Sequence, residues 1–78
     1  MKPRDKKFLK VLGGRIKALR EQQGISQDQL GYECGMHRVS VNRIEKGQNG
    51  PGVIALWHIA KALNVTIKEL FDFPEELD

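Results

Sequence analysis

The sequence predicts an all-α domain built from five helices. Three observations predict it. Apolar residues recur at helical spacing in successive blocks, and the first four blocks each run into a glycine or an asparagine. Two tetrapeptides, Ser26-Gln27-Asp28-Gln29 and Thr66-Ile67-Lys68-Glu69, have the form of a capping box, in which a hydroxyl and an acid or amide three residues on cover free helix N–H groups. No stretch alternates apolar and polar residues with period two, so no strand is expected.

The first helix is marked by Phe8, Leu12, Ile16 and Leu19, with Lys10, Arg15, Lys17 and Arg20 between them. It ends near Gln23, with Gly24 as its stop, and Gly13-Gly14 should weaken its middle. Ser26 opens the second helix, which turns Leu30 and Cys34 inward and stops at Gly35. The third runs from about His37 to Lys46, with Val41 and Ile44 inward and Gly47 as its end. The segment G-Q-N-G-P-G is a turn-rich loop. The fourth helix covers about Val53 to Leu63, with Leu56, Ile59, Ala60 and Leu63 on one side and Asn64 at the left-handed terminal position. Thr66 opens a short fifth helix through Phe71, ended by Pro74.

A chain of 78 residues is expected to be one domain, here 1–78, near the lower limit for a self-sufficient core. A basic segment, 1–7, and a short acidic tail, 74–78, flank it. Cys34 is the single cysteine, so no intrachain disulfide can staple the fold, and it reads as a small core residue. Cys34, His37 and His58 cannot make a four-ligand zinc set, and no metal or cofactor is expected. The longest apolar runs are too short for a signal peptide or a membrane span, which points to a cytoplasmic setting and no membrane partner. The net charge of +3 is unevenly placed. Lys2, Arg4, Lys6, Lys7, Lys10, Arg15, Lys17 and Arg20 face only Asp5 in the first twenty residues, while 69–78 carry five acids and no base. One basic face and one acidic end suggest nucleic acid or an anionic membrane as partner or, more plainly, two solubilising tails.

The second and third helices are joined through Gly35 with almost no spacer. A helix, a tight turn with a glycine and a second helix make a helix-turn-helix unit. Where the helices cross, a small residue is needed, and Gly31 stands there. The turn needs a positive φ angle, which Gly35 tolerates. Met36, Val41 and Ile44 pin the third helix to the core and leave Arg38, Val39, Asn42 and Arg43 outward.

The run S-Q-D-Q-L-G-Y-E-C-G-M-H-R-V-S-V-N-R-I-E-K-G, followed by P-G-V-I-A-L-W-H-I-A-K-A-L-N-V-T-I-K-E-L-F, resembles the Cro/C1-type (XRE) helix-turn-helix family of bacterial and phage DNA-binding regulators over roughly residues 8–73. The resemblance implies a five-helix lambda-repressor-like DNA-binding domain, a homodimer and a near-palindromic double-stranded DNA operator. It places Arg38, Val39, Asn42 and Arg43 at base edges, and Gln27 and Ser40, with Lys46, Gln48 and Asn49 beyond the third helix, at phosphates. It also implies an ion pair between Arg20 and Glu45. Three positions depart from the pattern: Gly31 stands for the usual alanine, His37 for the usual Ser or Thr cap, and the Q-N-G-P-G loop is rich in glycine.

Each outward residue has more than one reading. Arg38 and Arg43 suit guanine O6 and N7, a phosphate or plain solvation, Val39 suits a thymine methyl or plain exposure, and Asn42 suits adenine, phosphate or solvent. Gln27 could hold a phosphate or only cap its helix. Trp57 reads as packing. Ile67, Leu70, Phe71 and Phe73 form the expected homodimer surface, because apolar residues concentrate beyond the core helices. Catalysis is not expected: the glycine loop lacks both the dinucleotide and the P-loop spacing, and no serine or cysteine nucleophile has a placed base. The expected function is a transcriptional repressor or activator without an effector domain, nearest to a restriction–modification controller protein, with RNA polymerase as a possible contact. The alternative is a protein-interaction module, such as an antitoxin that binds a toxin and autoregulates its operon, using Ile67, Phe71, Phe73 and Leu77.

Overall fold

The computed structural model describes residues 2–73. Five helices follow in order: α1 (Pro3–Gln22), α2 (Gln27–Cys34), α3 (Arg38–Glu45), α4 (Val53–Ala62) and α5 (Ile67–Leu70). The described residues contain no strand, so the class is the all-α one that the sequence predicts. No described helix is long and apolar enough to cross a membrane. The expected stop at Pro74 lies outside the described residues, as do Leu77 and the acidic tail.

Helix α1 starts well before its apolar stripe. Pro3 takes the first helical position, where a missing N–H costs nothing, and the Asp5 carboxylate accepts a bond from the Lys2 backbone N–H at 3.3 Å. Residues 3–7 of the basic segment are therefore helical. At α2 the Ser26 hydroxyl accepts from the Gln29 N–H at 3.0 Å, but the Gln29 side chain stays exposed and returns no bond, so only half of the expected box forms. Gly24, Gly35, Gly47 and Asn64 all take the left-handed conformation at the ends of helices α1 to α4.

The core is one cluster: Leu12, Ile16 and Leu19 from α1, Leu30 from α2, Val41 and Ile44 from α3, Ile59, Ala60 and Leu63 at α4, and Leu70 from α5. A single-turn helix such as α5 cannot hold itself, because nucleation costs more than its few bonds return. Three devices hold it. Leu70 is fully buried. The capping box is complete, with Thr66 Oγ1 accepting from the Glu69 N–H and Glu69 Oε1 accepting from the Thr66 N–H, each at 3.0 Å. The Arg15 guanidinium donates through Nε and Nη2 to the Glu69 carbonyl at 3.2 and 2.9 Å, tying α5 to α1. The bond from the Thr66 N–H holds the Glu69 carboxyl below its usual range. Its support for α5 is thus present above the ordinary carboxylate range and is lost as pH falls below that range through the lowered folded value. Phe8, Phe71 and Phe73 close the end of the core, with Phe8 ring centroids 6.2 Å from Phe71 and 5.8 Å from Phe73.

Gly13 and Gly14 differ in a way their sequence does not show. Gly13 is buried where α1 crosses α3, and a Cβ there would meet the Ile44 carbonyl oxygen and lie 2.6 Å from that of Glu45. Gly14 faces open space. Ala gains up to about 1 kcal/mol over Gly in a helix interior. Gly14→Ala should therefore raise stability by about 0.5–1 kcal/mol. Gly13→Ala should lower it by about 1–3 kcal/mol despite the same propensity gain, because backbone must move. Urea denaturation of both variants checks the pair.

Candidate nucleic-acid interface

Helix α3 is held from behind and open in front. Val41 and Ile44 are buried, while Arg38, Val39 and Arg43 are exposed, Val39 at 54%. The turn that sets α3 against α2 closes with the Met36 N–H donating to the Gly31 carbonyl at 2.9 Å, across Gly35 at φ 69°. A Cβ on Gly31 would sit 2.6 Å from the Met36 carbonyl oxygen. Glycine here is a packing requirement of this turn, which offsets its poor helix propensity. His37 takes the N-cap of α3 with extended backbone but makes no side-chain cap bond. Its departure from Ser or Thr leaves that helix end without the bond a hydroxyl would make.

The far end of α3 is fixed by a polar cluster. Arg20 Nε lies 2.6 Å from Glu45 Oε2, and Nη2 donates to Glu45 Oε1 at 3.2 Å. Arg20 Nη1 donates to the Ile25 carbonyl at 2.9 Å, and Gln27 Nε2 donates to Glu45 Oε1 at 3.0 Å. Arg20 and Glu45 are only 9% and 7% exposed. The Arg20 pKa rises further, chiefly through its hydrogen bond to Glu45, so the guanidinium stays charged. These four bonds join α1, the α1–α2 loop, α2 and α3 at one point. The sequence foreshadowed the pair but not the Gln27 and Ile25 bonds, whose partners lie across helix boundaries.

The other expected site residues are distributed as follows. Asn42 and Ser40 are half-buried, and Lys46, Gln48 and Asn49 are exposed beyond α3. Gln27 is half-buried, with its amide nitrogen engaged by Glu45. Arg38 Nε lies 3.8 Å from Asp28 Oδ1 in the first turn of α2. The basic face of α1 is smaller than its composition suggests, because Arg20 and Arg15 are bonded internally; Lys2, Arg4, Lys6, Lys7, Lys10 and Lys17 remain exposed.

On the expected dimer surface, Leu70 must be removed. It is 0% exposed and belongs to the core, where it anchors α5. Ile67 is exposed, and Phe71 and Phe73 are half-buried against Phe8. Trp57 is not the packing residue expected of it: half its surface is exposed, with Lys61 Nζ 4.7 Å above its ring. Val53 and Ile54 are exposed beside it on α4. Cys34 is half-buried against the core, and desolvation pushes its thiol pKa up, which makes it a poor nucleophile.

A helix-turn-helix family profile, HTH_3, matches residues 16–70. The chain belongs to this Cro/C1-type helix-turn-helix family. Its relatives include the control protein C.BamHI of Bacillus amyloliquefaciens, 33% identical over 64 residues that cover 81% of this chain and 79% of that one. The restriction–modification controller protein C.AhdI of Aeromonas hydrophila superposes with a TM-score of 0.78 at 33% identity, covering 81% of this chain and 96% of that one. The P22 c2 repressor in complex with a synthetic operator superposes with a TM-score of 0.74 at 29% identity, covering 80% and 94%. The five-helix domain is thus of the repressor-like kind, with the helix-turn-helix at α2 and α3.

Removing one member of the buried cluster should be severe. Glu45→Ala strands the Arg20 guanidinium and the Gln27 amide, and should lower stability by about 3–5 kcal/mol. Replacing both partners, Arg20→Met with Glu45→Leu, should recover most of that loss. Thermal and urea denaturation of the single and double variants measure the difference.

Proposed function

We propose that the protein is a sequence-specific DNA-binding transcriptional regulator that acts as a homodimer on a near-palindromic operator, with α3 in the major groove. One observation carries the reading: α3 is buried along Val41 and Ile44 while Arg38, Val39 and Arg43 are exposed on its outer face. Two arginines and an exposed valine on one short helix have little use in a folded monomer, and each matches a base-edge group. Arg38 and Arg43 fit guanine, Val39 a thymine methyl and Asn42 adenine. Lys46, Gln48, Asn49 and Ser40 flank this face where phosphates would run, and Gln27 would meet a phosphate with the proton its Glu45 bond leaves free.

The dimer would form through α5 and its flank, with Ile67 exposed and Phe71 and Phe73 half-exposed at the edge. Two-fold symmetry then sets the two α3 helices about 34 Å apart, one turn of DNA. The likeness to two controller proteins supports a role in the control of a restriction–modification operon, by blocking or contacting polymerase. A second reading, docking onto a protein such as a toxin, draws on the exposed Val53, Ile54 and Trp57 of α4.

Selection of bound duplexes from a random pool supplies an operator, and gel shifts on it separate the two readings. A dyad sequence bound by a dimer is expected; recovery of no preferred sequence would leave the docking reading. Log K against log salt should fall steeply, by about 0.9 per phosphate neutralised. Arg38→Ala should cost about 1–3 kcal/mol on the selected site and relax one base pair per half-site. Gln27→Ala should weaken all sequences alike with little change in salt slope, because Gln27 is uncharged. A uniform loss with Arg38→Ala would make it a phosphate anchor.

A further inference from the structure

Asp28 is an acidic residue beside the outer face of α3 that the DNA-binding reading does not absorb. It sits in the first turn of α2, and its carboxylate lies 3.8 Å from Arg38 Nε. Both side chains are largely exposed, Arg38 at 63% and Asp28 at 80%. In water such a contact contributes little to stability. A carboxylate beside the exposed face of α3 would also repel a phosphate backbone. As a helix-dipole partner for α2 it would serve equally well anywhere in the first turn, away from Arg38.

We propose that Asp28 is a specificity-determining residue that orients Arg38 toward a base and away from phosphates. The inference rests on the reading of α3 as the base-contacting helix. The carboxylate approaches the Nε side of the guanidinium. A contact at Nε leaves the terminal Nη1 and Nη2 donors unused by Asp28, and that pair can bond guanine O6 and N7 together. When DNA displaces water, the weak pair strengthens, because the local dielectric falls. The same negative charge penalises every sequence at the backbone, so Asp28 lowers non-specific affinity while it steadies a specific contact. Both effects raise the ratio of specific to non-specific binding.

The test measures the full chain on the selected operator, its single-base variants and random duplex DNA. Wild type, Asp28→Asn, Arg38→Ala and the double variant are compared, with folding checked by circular dichroism. Asp28→Asn keeps a polar residue of the same size at the helix start. It should bind random DNA about two- to fivefold more tightly. It should also lose about three- to tenfold of its discrimination, at the same base pair that Arg38→Ala relaxes. In the Arg38→Ala background the substitution should cause no further loss there, because the residue it orients is gone. If Arg38→Ala relaxes a base pair and Asp28→Asn leaves that preference intact, the role of Asp28 is overturned alone. If Arg38→Ala keeps every base preference, the base-contacting reading of Arg38 falls and the role of Asp28 falls with it. If Asp28→Asn shifts all sequences by one factor, Asp28 is a general charge on the face and the proposal is overturned.

Discussion

The Arg20–Glu45 ion pair joins the C-terminal end of α1 to the last residue of α3, and the Gln27 amide and the Ile25 carbonyl complete its bonding. Burying two charges is expensive, and an apolar pair of similar size often does as well for stability. What the apolar pair would lack is direction. A bidentate guanidinium–carboxylate contact fixes both distance and angle. That matters for a helix of eight residues whose outer face is proposed to meet DNA. Gly13 makes the approach possible, since any side chain there would push against the carbonyls of Ile44 and Glu45.

From that fixed point the rest of the molecule follows. The turn at Gly35 and the close approach at Gly31 set α3 against α2. Val41 and Ile44 lock its inner face into the core, so its outer face carries no structural duty. Helix α5 is a dependent element, assembled by Leu70, the Thr66–Glu69 box and Arg15. Two arginines of the basic α1 therefore serve folding: Arg20 places α3 and Arg15 places α5. Exposed positive charge resides instead in the lysines and Arg4 of α1, in Arg38, Arg43 and Lys46, and in Lys61 and Lys68.

Helix stops and the inward faces of α1 to α3 were legible in the sequence because they depend on neighbours within a few residues, whereas the start of α1 at Pro3, ahead of its apolar stripe, was not. The stops at Gly24, Gly35, Gly47 and Asn64 are local choices of φ, and each lies where its residue type foretold. Contacts between distant residues were less legible. Gly13 and Gly14 look alike in sequence, and only the crossing of α1 over α3 separates a required glycine from a dispensable one. Leu70 read as surface because a four-residue helix has too little periodicity to show which way it faces. Trp57 read as packing because size and hydrophobicity favour burial, yet α4 turns Ile59 and Ala60 inward and leaves the indole beneath Lys61. The outward face of α3 was legible by subtraction from its core residues. Its pairing with Asp28 was not, since that contact crosses from one helix to the next.

The proposed DNA-binding surface is α3, held rigidly from behind. Backbone amide shifts of the labelled protein, followed while a selected operator duplex is added, test it most directly. The account predicts that the largest changes fall at Gln27 and Asp28, through Arg38 to Arg43, and from Lys46 to Asn49, while the amides around Gly13 and Leu70 stay nearly still. Largest changes on α4 around Val53, Ile54 and Trp57, with α3 unmoved, would contradict it.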